Sequence, residues 1–251
     1  MSFIALFLKA HVAGYTRGDG VVVRAHERHT PPVVSLTEMN PGTAPWDMMI
    51  EYARRGGRVF VDTGAFPAFT RGIPVDWDRN QRLVRQLIAQ APGTRFHIVM
   101  PDLIGDQTAS LNLLARNAGY VRHVIAAGHD ALVPIQKGGL APYDAFAEAV
   151  QIIGTDDFTA AVPSNRAAFS NADLSNLMGG PIKPRRVHFL GVAAIVHRAS
   201  PTTVVTSDAN RLRAKVGQGQ PLTVGRQRAI EQLDNALRFL LQHDHPELAE
   251  A

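Results

Sequence analysis

Cysteine is absent from the 251 residues of this chain. Disulfide bonds, thiolate nucleophiles and cysteine-ligated zinc are therefore excluded, and cysteine usage gives no indication of the redox compartment. A long apolar run is missing as well. The N-terminal "MSFIALFLKAHVAG" falls far short of the roughly 20 apolar residues that span a bilayer, and no basic segment precedes its apolar part as in a secretory signal. We expect a cytoplasmic protein that does not enter a membrane.

The charge balance is only mildly basic. The formal net charge is +4, with 45% hydrophobic and 19% charged residues. This composition allows a full hydrophobic core, and we expect one domain over residues 1–251. The basic excess is compatible with a polyanionic partner but is too small to demonstrate one.

Short apolar runs recur along the chain, and most are followed by a segment of helical periodicity. Eight of them are candidate strands: "FIALFLKA", "PPVVSLTE", "RVFVDTG", "RFHIVMPD", "ALVPIQKGG", "DFTAAVPSN", "RRVHFLGVA" and "TTVVTSDAN". Helical spacing of apolar residues covers 76–91, 106–128, 143–154 and 170–180, and a closing amphipathic helix is predicted at about 224–242.

Alternating strands and helices predict an α/β fold with a parallel sheet, and eight strands fit an irregular (β/α)₈ TIM barrel. A doubly wound open sheet is the alternative. That fold usually carries a glycine-rich fingerprint after its first strand, and "YTRGDGVVVRAHERH" lacks the required strand-to-helix context. We therefore favour the barrel.

Polar residues close several of the predicted strands. In a parallel barrel the loops after the strands form the mouth of the active site, so these residues are candidates for chemistry. They are Asp62, Asp102 with Asp106, Gln136 with Gly138 and Gly139, Ser164 with Asn165, and Asp208.

Each candidate has a structural alternative. Asp62 in "DTGAF" could form a simple Asx-turn, and Asp106 in "GDQTASLNLL" could equally be the N-cap of a helix. Asp102 follows a proline, which keeps the preceding residue extended and places the carboxylate at the strand mouth. Phe66 is a candidate for stacking on a base, although a phenylalanine in that place belongs to the core at least as often.

The glycine pair of "IQKGGL" would let a ligand approach the backbone, although a plain turn explains it about as well. Gln136 could present a donor and an acceptor to a planar heterocycle. The ten histidines show no metal-binding spacing, so no metal and no cofactor is expected. His188 in "RVHFLG" is expected to be a satisfied strand residue.

Three segments resemble motifs of the tRNA-guanine transglycosylases in the same order along the chain. "VDTGAFPAF" resembles their "DSGGFQ" segment, "IQKGG" resembles "VQGG", and "VTSDANRLR" resembles the "D…TRNAR" segment around their nucleophilic aspartate. "FHIVMPDLIGD", "DDFTAAVPSN" and "KPRRVHFLGVA" match further strands of that family more loosely. The resemblance covers about residues 33 to 213. It implies an irregular (β/α)₈ barrel that exchanges guanine in a nucleic acid for a 7-deazaguanine through a covalent glycosyl-enzyme intermediate.

Two departures from the family bear on the substrate. The tRNA enzymes have a zinc subdomain with three cysteine ligands, which cannot exist in this chain. In the first motif, Thr63, Ala65 and Pro67 replace the family's Ser, Gly and Gln. A short, zinc-free barrel is similar to the DNA 7-deazaguanine transglycosylases, so DNA is favoured over tRNA as the partner. The resemblance also suggests a homodimer.

The resemblance assigns the nucleophile to Asp208, and the chemistry of base exchange gives Asp62 the role of general acid/base. Asp102, Gln136 and Asp106 are expected to read the purine edge, and backbone near Gly138, Gly139 and 162–164 is expected to line the pocket with Asn165. Arg211 and Arg213 are candidates for phosphate contacts, although a solvated helix face is the simpler interpretation of each. A glycosylase that only removes the base, a tRNA or nucleoside enzyme, and a non-catalytic nucleic-acid-binding barrel remain alternatives.

Overall fold

A computed structural model describes residues 3–7, 32–36, 40–54, 59–163, 169–190 and 203–209. Within them, eight parallel strands pair in chain order, and β8 pairs with β1 to close the ring. The strands are β1 (Phe3–Phe7), β2 (Pro32–Ser35), β3 (Val59–Asp62), β4 (Phe96–Val99), β5 (Asp130–Pro134), β6 (Thr159–Pro163), β7 (Arg186–Leu190) and β8 (Val204–Ala209). Seven of these strands lie within the predicted apolar runs, and β5 begins one residue before its run, at Asp130.

Helices follow five of these strands. They are α1 (Ala44–Arg54), α2 (Ala65–Arg71), α3 (Trp77–Gln90), α4 (Gln107–Arg116), α5 (Ala118–Ala126), α6 (Pro142–Ile153) and α7 (Asn171–Gly179). The α/β fold with a parallel barrel sheet is therefore confirmed for the described residues. The segments that follow β1, β7 and β8 lie outside them, so the strand–helix repeat over the whole chain stays a prediction, as do the single domain and the helix at 224–242.

Helix boundaries agree with the sequence patterns except in three places. The predicted segment 106–128 forms two helices that meet at Asn117, whose side-chain amide donates to the carbonyl of Leu113 at 2.8 Å. An asparagine that bonds the backbone four residues earlier competes with the helical ladder, which explains the break. Helices α1 and α2 were not predicted. The second of them is only seven residues long and includes Pro67, so its sequence reads more readily as a turn.

The core divides into two layers because side chains alternate across each strand. Val59 and Val61 point outward and join Phe96 and Ile98 in the large cluster between the sheet and the helices. Phe60 points inward and meets Val99, Leu132 and Ala161 inside the ring. The inside of the ring is therefore packed with side chains, as in other small parallel barrels.

His188 in β7 belongs to this interior layer. It is fully buried, stacks on Phe60 with 4.7 Å between ring centroids, and pairs through Nδ1 with the Thr206 hydroxyl at 2.8 Å. The sequence-based expectation of a satisfied strand histidine is met.

A second set of buried polar groups lies where β4 to β7 begin. Asp130, the first residue of β5, is 3.0 Å through Oδ2 from Nδ1 of His97, and its Oδ1 accepts from the Thr159 hydroxyl at 2.7 Å. The Nε of Arg186 is 3.3 Å from the same Oδ1. Arg186 reaches outward to Asp157 at 2.9 Å. We call these four residues, His97, Asp130, Thr159 and Arg186, the floor network. They link four neighbouring strands at the amino end of the ring.

None of the described helices is long and apolar enough to cross a bilayer.

Candidate active site

The predicted site residues that the structure describes are grouped at one end of the strands. Asp62 is the last residue of β3, Asp102 follows β4 by three residues, and Gln136 follows β5 by two. Because all strands run in the same direction, these positions share the carboxyl end of the ring. This is the end at which parallel barrels carry their active sites.

Asp62 closes β3 with a tight turn. Its Oδ2 accepts from the backbone N–H of Gly64 at 3.0 Å, and Gly64 has φ of 77° as the N-cap of α2. A positive φ of this kind favours glycine. The Asx-turn that the sequence suggested is present, and it fixes a half-buried carboxylate at the mouth of the ring.

The side chain of Asp102 is buried, with 4% of its surface exposed. Burial raises its pKa to about 7. The hydrogen bond from Gln136 opposes that rise, and the nearby charge of Asp62 adds to it. A carboxyl group that shares its surroundings with a second carboxylate and titrates near neutral pH is suited to proton transfer or to a change of hydrogen-bonding state on binding.

Gln136 bridges the two loops that hold this carboxyl group. Its Nε2 donates to Oδ2 of Asp102 at 2.8 Å, and its Oε1 accepts from the backbone N–H of Gly105 at 3.1 Å. The amide orientation is therefore set by the protein on both sides. One N–H of Nε2 and one lone pair of Oε1 are left over from these two bonds.

Gln107, which sequence reasoning missed, anchors the loop after β5. Its Nε2 donates to the carbonyls of Gln136 at 2.9 Å and Leu140 at 3.1 Å, and its Oε1 accepts from the N–H of Leu140 at 2.7 Å. The residue is the first of α4 and is only 5% exposed. No sequence signal identifies it, because a glutamine in the first turn of a helix is usually exposed.

The two glycines of "KGG" occupy different surroundings. A Cβ at Gly138 would lie 2.8 Å from Oε1 of Gln107 and also against its Cβ, whereas a Cβ at Gly139 would meet nothing within 4 Å. Gly138 thus allows close approach of the Gln107 side chain. Gly139 lines an outer cavity of about 470 Å³ between α4 and α6.

Two further predicted residues are placed by the structure. Asp106 is the N-cap of α4, and its Oδ1 accepts from the N–H of Ala109 at 2.9 Å, so the capping alternative is observed. Phe66 lies on α2 with 53% of its surface exposed. It is therefore not a core residue and lies next to the turn that holds Asp62.

Asp208 is the fifth residue of β8, where its backbone pairs with Ala5 of β1. It is thus at the same end of the ring as Asp62, and β1 and β2 lie between the two strands. Ser164, Asn165, Arg211 and Arg213 lie outside the described residues.

Comparison with known proteins gives a weak structural likeness but no family. No protein-family model and no curated protein matches the chain. Among solved structures, the chain is similar to a xylose isomerase-like TIM barrel/4-hydroxyphenylpyruvate dioxygenase fusion protein, with 12% sequence identity and a TM-score of 0.49. The match covers 100% of this chain and 44% of that protein, so the chain spans less than half of its length.

Proposed function

We propose that this protein is a base-exchange transglycosylase that replaces guanine in DNA with a 7-deazaguanine, such as 7-cyano-7-deazaguanine, within a complete (β/α)₈ barrel. The supporting observation is that Asp62, Asp102 and Asp208 lie at or just beyond the carboxyl ends of three strands in one parallel ring, Asp208 one residue before the end of β8. Base exchange at C1′ needs carboxylates for covalent and proton-transfer steps, and this end of the ring supplies them.

The exchange consists of two displacements. A carboxylate oxygen of Asp208 attacks C1′, the bond from C1′ to the purine breaks, and its electron pair leaves with the purine, which takes a proton from Asp62. The incoming deazaguanine then gives a proton back to Asp62 and displaces Asp208 from C1′. No external oxidant or energy source is required, because one glycosidic bond replaces another.

Base recognition falls to Asp102. Guanine presents N1–H and N2–H₂ donors on one edge, and an ionised carboxylate can accept from both. The carboxyl group of Asp102 is held by the Gln136 amide at 2.8 Å, which leaves its second oxygen for the base. Phe66, exposed beside the Asp62 turn, offers a face for stacking.

DNA is the favoured polymer because the chain lacks the cysteines of the zinc subdomain of the tRNA enzymes. The target nucleotide has to be flipped or single-stranded to reach a pocket at the mouth of a barrel. Arg211 and Arg213 follow the proposed nucleophile in sequence and would contact the phosphates of the target nucleotide. A cytoplasmic homodimer completes the proposal.

Label release tests the reaction. DNA or tRNA carrying radioactive guanine is incubated with the protein with and without a 7-deazaguanine. We expect release of more than one guanine per protein from DNA only when the deazaguanine is present, because formation of the covalent intermediate alone frees a single equivalent. Release beyond one equivalent without it would indicate a base-removing glycosylase, and release from tRNA alone would reverse the choice of polymer. Absence of release from both polymers would overturn the enzyme proposal.

Binding of the free base should depend on pH through Asp102. Because its pKa is about 7 in the free protein, and because accepting two N–H groups favours the ionised form, binding releases a proton below that pH. Affinity should rise up to about tenfold per pH unit from pH 5 to 7 and level off above. Isothermal titration calorimetry in two buffers of different ionisation enthalpy measures both quantities.

The Asp102→Asn variant should bind the base more weakly and without this pH dependence, because its amide does not titrate. Asp106→Asn keeps the helix cap of α4 and serves as a comparison on the same loop. Equal affinity at pH 5 and 8 in the unmodified protein would contradict the role assigned to Asp102.

A further inference from the structure

Two glutamines connect the loops after β4 and β5. The carbonyl of Gln136 accepts from Gln107 at 2.9 Å, and the side-chain amide of Gln136 donates to Asp102 at 2.8 Å. One chain of hydrogen bonds therefore runs from the start of α4 through the loop after β5 to the buried carboxyl group. All three residues are at most 5% exposed, so water does not replace these bonds readily.

The same glutamine is tied to the loop at a second point. Gln107 exchanges two hydrogen bonds with the backbone of Leu140, one in each direction, at 3.1 and 2.7 Å. Its side chain therefore spans the loop from 136 to 140. Gly138 lies beneath it, where any side chain would collide with Gln107.

We propose that Gln107, seated on Gly138, is a positioning residue that acts through Gln136 to hold the Asp102 carboxyl group in its reactive orientation. The role of Asp102 in binding the base rests on the proposed function. The positioning of its carboxyl group by Gln107 and Gln136 is a property of the free protein. Gln136 in turn acts on the base mainly through Asp102, because its side-chain amide already donates a hydrogen bond to Asp102 and accepts one from the N–H of Gly105.

Two variants remove this arrangement by different means. Gln107→Met keeps the length of the side chain and removes all three of its hydrogen bonds. Gly138→Ala keeps those groups but forces Gln107 and the loop apart. Both should displace the Gln136 amide, whose bond to Asp102 favours the ionised carboxylate, so the pKa of Asp102 should rise above its value in the unmodified protein.

The controls match each change. Thr108→Ala alters the next, exposed residue of α4, and Gly119→Ala adds a methyl group on α5 where nothing lies within 4 Å. Among the described residues, the side chain of Thr108 forms no hydrogen bond with the loop after β5, and Gly119 has no side chain. Both variants should leave Asp102 unchanged.

The readout is the titration of Asp102 by NMR in protein labelled with ¹³C at the aspartate carboxyl carbons, with thermal denaturation to confirm folding. An upward shift in both test variants and in neither control supports the proposal. Folded test variants with an unshifted Asp102 overturn it. Where the free base binds, the test variants should also lose about tenfold to a hundredfold in affinity. If the unmodified protein binds no purine, the proposed function fails, and the titration still decides the positioning role.

Discussion

Replacement of Asp208 by asparagine should lower the rate of base exchange by about four orders of magnitude or more, the loss typical of removing a catalytic nucleophile. The amide has nearly the shape of the carboxylate but cannot form the ester bond to C1′. A denaturing gel provides a direct measurement, because the unmodified protein should carry labelled nucleic acid covalently when the incoming base is withheld. The Asp208→Asn variant should carry none.

A matched control for this change is Asp144→Asn, which alters an exposed aspartate in the first turn of α6. It should exchange bases at the unmodified rate and form the covalent species. A covalent adduct of undiminished yield in Asp208→Asn would show that another group attacks C1′. Asp62 would then be the first residue to examine, because it lies at the same end of the ring.

Replacement of Asp130 by alanine should reduce the free energy of unfolding by about 3 to 5 kcal/mol, because it leaves Arg186 and His97 without their buried carboxylate. The carboxylate contacts three side chains from three neighbouring strands. Urea denaturation at pH 7 measures the loss. Asp157→Ala provides the comparison, since its side chain is 57% exposed and its pair with Arg186 should contribute less than about 1 kcal/mol.

The same residue predicts a dependence of stability on pH. Burial by itself raises the pKa of Asp130, but the hydrogen bond and charge of His97, the Thr159 hydroxyl and Arg186 together hold it below the ordinary value. A carboxyl group with a lowered folded-state pKa contributes its stability above about pH 4, the unfolded value. That contribution is lost as the pH falls through the folded-state pKa. The difference in stability between the unmodified protein and Asp130→Ala should therefore shrink below pH 4.

The strands were predictable because each is a short apolar run bounded by polar or small residues, and parallel strands covered on both faces leave that pattern in the sequence. The short α2 was not predictable, because it contains Pro67 and follows a glycine in the N-cap position. The break between α4 and α5 at Asn117 depends on one hydrogen bond from its side chain to the backbone. The spacing of apolar residues gives no indication of such a bond.

The site was predictable to the extent that a polar residue closes an apolar strand. This rule placed Asp62 and Asp102 at one end of the ring, but it left open whether Asp106 caps a helix, and the structure shows that it does. Gln107 lies 29 residues before its partner Gln136 and inside an ordinary helical pattern. No local signal pairs two such glutamines, because their contact is produced by the parallel packing of neighbouring strands.

The floor network and the candidate active site occupy opposite ends of the same strands. β5 alone spans roughly 13 Å at about 3.3 Å per residue, with Asp130 at its first position and Gln136 beyond its last. Groups separated by more than about 10 Å and sharing no partner usually contribute to folding and binding independently. Substitutions at the mouth of the barrel can therefore change specificity while the floor network at the opposite end maintains thermal stability. A protein engineer could adjust the two properties separately.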